Sequence, residues 1–89
     1  MKYPYMTLQD ETNIVHSHMR EDGTVKVYME RPRDGGFDSA ECILPCYEWG
    51  AINGFSPEEI KRLDKFVHNN AHLMMEFAQE GGFANAANF

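Results

Sequence analysis

Eighty-nine residues bound the chain to one domain with a modest core, and 43% hydrophobic content with a net charge of −6 makes it a folded, acidic protein rather than a disordered one. Five basic against eight acidic side chains in residues 1–45, and three against six in residues 46–89, leave no basic patch for phosphate, which disfavours direct nucleic-acid binding. No apolar run approaches the roughly 18 residues of a membrane span, the polar and aromatic N-terminus does not read as a signal peptide, and two cysteines without an export signal point to a reducing cytoplasm with no disulfide.

In chain order, Tyr3-Pro4-Tyr5 fits a sheet edge or a tail, because proline cannot donate to a central ladder. Residues 13–20 predict a first strand, with Ile14, His16 and His18 on one face and Val15, Ser17 and Met19 on the other. Glu21-Asp22-Gly23-Thr24 is a turn, and residues 25–31 alternate again, Val25, Val27 and Met29 against Lys26, Tyr28 and Glu30. The two runs form a hairpin. Arg31-Pro32-Arg33-Asp34-Gly35-Gly36 reads as a longer break before a third strand at 37–44, where Ala40, Cys42 and Leu44 alternate with Ser39, Glu41 and Ile43 until Pro45 ends it. The connection from Cys46 to Gly54 holds Tyr47, Trp49 and Ile52, and is expected to fold over one end of the core or to present a recognition surface.

The clearest local signal lies at Phe55-Ser56-Pro57-Glu58-Glu59-Ile60. Ser56 suits an N-cap, Pro57 the first helical position, and Glu59 completes a Ser-x-x-Glu capping box, with Phe55 and Ile60 as a hydrophobic staple. A helix over 57–80 follows, stopped by Gly81-Gly82, with residues 83–89 as a tail. The predicted fold is therefore α+β: a three-stranded antiparallel β-meander followed by one long C-terminal α-helix packed on the sheet.

The helix carries more apolar surface than three strands can cover. Ile60, Leu63, Phe66, Val67, Ala71, Leu73, Met74, Met75, Phe77 and Ala78 span roughly 200° at 100° per residue. The flank at Phe66, Asn70, Leu73 and Phe77 needs another cover: the N-terminal tyrosines, the segment 83–89 or a second copy of the chain. The second copy is favoured, so a homodimer is expected, with Phe66, Asn70, Leu73, Phe77, Tyr47 and Trp49 as interface candidates.

Chemistry is sparsely signalled. His68, His72 and Glu76 lie at i, i+4 and i+8, and His16 and His18 at i and i+2, so both sets could chelate zinc; the plainer alternatives are a solvated helix face and an exposed strand pair. Cys42 and Cys46 are too loosely spaced for a zinc knuckle and fit inert thiols. No Gly-rich phosphate loop is present, no catalytic set converges and no cofactor is expected. Arg31 and Arg33 could grip a carboxylate or phosphate, with Glu30 and Asp34 as local neutralisers.

The run Ala40-Glu41-Cys42-Ile43-Leu44-Pro45, then Trp49, Gly54 to Ile60, Asn70-Ala71-His72-Leu73 and Glu76-Phe77-Ala78 resembles a set of small bacterial proteins of unknown function. That resemblance covers about half the chain and implies a cytoplasmic bacterial protein. A fainter similarity is to a domain of unknown function found near toxin–antitoxin genes, whose His-x-His strand His16 and His18 echo; Met19-Arg20 departs from its pattern. Together these features predict a dimeric, non-enzymatic interaction module for a basic protein partner, with zinc binding through His16, His18, His68 and His72 as the alternative.

Overall fold

The hairpin that Asp22-Gly23 predicts is the centre of the fold. The computed structural model describes residues 2–80. It contains β1 (Lys2–Thr7), β2 (Asn13–Ser17), β3 (Val25–Arg33), β4 (Gly36–Leu44), β5 (Glu48–Asn53) and α1 (Pro57–Gln79). The strands form one antiparallel sheet in chain order, with α1 on one face. The class is α+β as expected, but the sheet has five strands rather than three.

Both extra strands are edges. β1 tolerates Pro4 because an edge strand leaves one side of its ladder unpaired, and its register with β2 shifts between Pro4 and Met6. β5 takes up residues expected to form a lid; its register with β4 shifts between Ser39 and Glu41, and Ala51 sits at φ 51°. The expected break at Arg31–Gly36 is smaller than its proline suggests. β3 and β4 stay paired through Pro32–Phe37 and Arg33–Gly36, so Asp34-Gly35 alone makes the turn, with Gly35 at φ 84°. The first strand is shorter than predicted. It ends at Ser17, leaving His18 exposed beyond it.

Alternation then sorts the sheet. Ile14, His16, Val25, Val27, Met29, Ala40, Cys42 and Leu44 are buried on the inner face. Against them α1 sets Leu63, Val67, Ala71, Met74 and Ala78, a stripe at spacings of four, four, three and four that keeps one helix face inward. Fully buried side chains such as Met29, Leu44 and Met74 each contribute roughly 1.5–3 kcal/mol relative to exposure.

The helix start follows the sequence closely. The Glu59 N–H donates to Ser56 Oγ at 3.1 Å and the Ser56 N–H to Glu59 Oε1 at 2.9 Å, closing the capping box. At the far end, the Glu80 N–H donates to the Phe77 carbonyl at 3.1 Å; the Gly81-Gly82 stop and the 83–89 tail lie outside the described residues.

Candidate functional site

The strand continuation through Pro32 carries Arg31 to the end of the sheet, beneath the start of α1. Its Nη2 donates to Asp38 Oδ2 at 2.7 Å and its Nε to the same oxygen at 2.9 Å. Its Nη1 pairs with Glu59 Oε2 and approaches Asp10 Oδ2 at 3.4 Å, while the guanidinium lies over the Phe55 ring at 4.6 Å. Arg33 Nε adds a further donor to Asp38 at 2.7 Å. One cation therefore ties together β3, β4, the β1–β2 loop and the helix cap.

Charge pairing sets the titration of the group. Hydrogen bonding from Arg31, then from Ser56, lowers Glu59 to about 2, and Glu59 and Asp38 in turn raise Arg31 above its usual value. Arg33 and Arg31 hold Asp38 below the ordinary carboxylate value. Asp38 is only 4% exposed, and Gly54 explains how it fits. Gly54 has φ 88°, and a Cβ there would fall 2.0 Å from Asp38 Oδ1. Only glycine meets both conditions.

Beside this cluster opens a cleft of about 390 Å³. Leu8, Phe55, Leu63 and Phe66 supply its apolar lining; Asp10, Arg31, Glu59 and Arg62 supply its charges. Asp10 is exposed at the edge and accepts the Thr12 N–H at 3.1 Å. An apolar recess framed by a few fixed polar groups is the ordinary form of a small recognition site. No family model, curated protein or solved structure matches the chain.

The residues expected to chelate metal are dispersed. His16 is fully buried on the inner sheet face rather than exposed. Its Nδ1–H donates to the Ser17 carbonyl at 2.8 Å, its Nε2 is buried without a partner, and the Tyr3 and Tyr5 rings lie 5.8 and 6.5 Å away. Burial lowers its pKa, partly offset by the Ser17 bond. His18 is exposed and outside the strand, so the expected pair on one face does not form. His68 stacks on Tyr47 at 3.6 Å and approaches Asp64 at 3.4 Å; His72 is 92% exposed in its side chain and 3.8 Å from Glu76, the plain i, i+4 pairing. Among the described residues no three His, Cys, Asp or Glu side chains are grouped to hold an ion.

The interface candidates have intramolecular partners. Tyr5 O–H donates to Asn70 Oδ1 at 2.7 Å, Asn70 Nδ2 donates to the Phe66 carbonyl at 2.9 Å, and the Tyr5 ring meets Phe66 and Phe77 at 6.3 and 6.1 Å. An N-terminal tyrosine thus covers much of this flank, and the polar amide inside it is satisfied. Leu73 remains 44% exposed. Trp49 Nε1–H donates to Asp64 Oδ1 at 2.8 Å, and both Trp49 and Tyr47 lie against the core. Burial pushes the Cys42 thiol up to about 12, the inert state expected of it, and Cys46 is free and exposed.

The Arg31 cluster escaped sequence reasoning in one respect. The sequence offers its neighbours Glu30 and Asp34 as neutralisers, whereas Asp38 and Glu59 perform that role. Asp38 faces Arg31 across the β3–β4 ladder, a signal available once the hairpin register is known. Glu59 lies 28 residues away and left no local trace.

Proposed function

We propose that the chain is a non-enzymatic interaction module of the bacterial cytoplasm whose cleft at the start of α1 receives a side chain of a basic protein partner. The supporting observation is the composition of that cleft: an apolar lining of Leu8, Phe55, Leu63 and Phe66 beside the paired charges of Arg31 and Glu59. Glu59, with its pKa near 2, and the strongly held Arg31 keep fixed charge around neutral pH instead of exchanging protons, which suits recognition better than acid–base chemistry. A net charge of −6 and the exposed Asp10 carboxylate favour an approaching cation through steering. The free thiols of Cys42 and Cys46 are in keeping with a reducing compartment. Among the described residues no helix is long and apolar enough to cross a membrane.

The experiment is affinity capture from native cells with quantitative mass spectrometry. Wild type is compared with Gln9→Trp, which places an indole at the cleft mouth, and with Asp10→Lys, which inverts the charge at its edge. Basic proteins captured by the wild type should be lost with both variants while circular dichroism stays native. A capture profile that both variants leave unchanged refutes the cleft as the binding site.

A further inference from the structure

The sheet face turned away from α1 has a regular pattern that the registers make explicit. One row runs Lys2 and Ser17, whose Oγ accepts the Lys26 N–H at 3.0 Å, then Lys26, Ile43 and Glu48; the next runs Pro4, Val15, Tyr28, Glu41 and Gly50; the third runs Thr7, Asn13, Glu30, Ser39 and Asn53. On β3, Lys26 and Glu30 therefore lie one row either side of Tyr28. We propose that this face packs against the same face of a second copy, about a two-fold axis that runs across the strands beneath the Tyr28 row.

Charge complementarity selects that occupant. A two-fold in this direction reverses the strand direction and keeps the strand order, so Lys26 of each copy faces Glu30 of the other, giving two symmetric pairs. The partly buried Tyr28 and Val15 meet their own equivalents at the axis, and Lys2, whose Nζ lies 4.1 Å from the Tyr28 ring centroid within each chain, adds a cation beside Glu41. Glu41 also lies near its own copy, but Lys26 neutralises it at 3.2 Å within each chain. Edge-to-edge pairing is the competing way to join two sheets, and both edges oppose it. Pro4 and a register shift interrupt β1, and a register shift with Ala51 at positive φ interrupts β5. Five strands at about 4.8 Å spacing, over some 20 Å of length, offer roughly 500 Å² per copy. Stable interfaces use about 800 Å² per partner, so the dimer is weak and dissociates on dilution.

The test is sedimentation equilibrium of the full chain across a dilution series at low salt. Glu30→Lys alone should weaken the dimer roughly tenfold or more, since two like-charge contacts replace two opposite-charge ones. Lys26→Glu alone should do the same. The exchange Lys26→Glu/Glu30→Lys should restore association, because residue 30 lies diagonal to Glu41 as residue 26 does and the pair with Glu41 is regained within the chain. Leu73→Glu, on the helix flank, should leave association unchanged. Wild type that is monomeric throughout, single variants that still dimerise, an exchange variant that does not, or monomers from Leu73→Glu each overturn the proposal. Should a variant fail to fold, concentration-dependent NMR shifts of Val15 and Tyr28 in the wild type decide instead: their presence supports the interface, and shifts confined to α1 refute it. The cleft variants Gln9→Trp and Asp10→Lys leave this equilibrium untouched, so the two surfaces are judged separately.

Discussion

Replacing Gly54 by alanine tests the cluster at the helix start most directly. The backbone there has φ 88°, and leaving a side chain in that region costs about 1–2 kcal/mol. The new methyl carbon would stand 2.0 Å from Asp38 Oδ1, 2.7 Å from its Cγ and 3.1 Å from its Cβ. Asp38 cannot simply retreat, because Arg31 Nη2 and Arg33 Nε both hold it at 2.7 Å. Loosening the charged hydrogen bonds made by Arg31 adds about 2–3 kcal/mol, for a total of about 3–5 kcal/mol. Urea unfolding followed by the fluorescence of Trp49 measures it, and that loss is a large part of the few kcal/mol a domain of this size holds. Asp38→Ala in the same chain removes the 2.0 and 2.7 Å contacts and leaves only the one to Cβ, so the double variant should cost less than the sum of the two single ones. A Gly54→Ala cost below about 1 kcal/mol, or strict additivity in the double variant, refutes the close packing of Asp38 under the helix joint.

Acid should also loosen the same cluster. Glu59 falls from an ordinary 4.5 to about 2, so its contribution is whole above pH 4.5 and lost as pH drops through about 2; roughly 2 kcal/mol should disappear across that window in urea midpoints, and Glu59→Gln should flatten it. His16 behaves oppositely in mechanism though not in direction. Its folded pKa lies below 6.5, so the unfolded chain takes up the proton first and stability declines as pH falls below 6.5; an NMR titration of the ring that gives an ordinary or raised value refutes the sealed environment. Tyr5→Phe should cost about 1 kcal/mol through the lost bond to Asn70, and thermal melts that match the wild type would show that the bond adds nothing. Thiol-reactive dye should label Cys46 rapidly and leave Cys42 unmodified until the chain unfolds, as intact-mass spectrometry can record.

What was legible in the sequence followed from local pattern. Ser56, Pro57 and Glu59 announced the helix because capping chemistry is contained in four residues, and Val25, Val27 and Met29 announced the inner sheet face by strict alternation. Pro4 leaves β1 legible only as a sheet edge or a tail, while β5 is hidden by Gly50 and the positive φ of Ala51, which break alternation where an edge strand can bear it. His16 and His18 looked equivalent only while the strand was assumed to run past Ser17. The apolar flank of α1 meets Tyr5, one of the three covers the sequence allows, and that bond spans 65 residues, a separation no periodicity reveals. The same distance problem concealed the partnership of Arg31 with Glu59.

Glu59 divides its carboxylate between two tasks. One oxygen caps the first turn through the Ser56 N–H and the other grips Arg31 from the sheet. The helix start thus has its full complement of bonds only when the β3–β4 ladder is closed, and the ladder end has its counter-charge only when the helix is wound. Fraying of the first turn and unzipping of the hairpin tip are then a single opening. In native-state hydrogen exchange, amides of residues 58–60 and of the strand ends at 31 and 38 would share one opening free energy despite lying far apart in the chain. A small core gains cooperativity at a joint where helix and sheet could otherwise come apart independently.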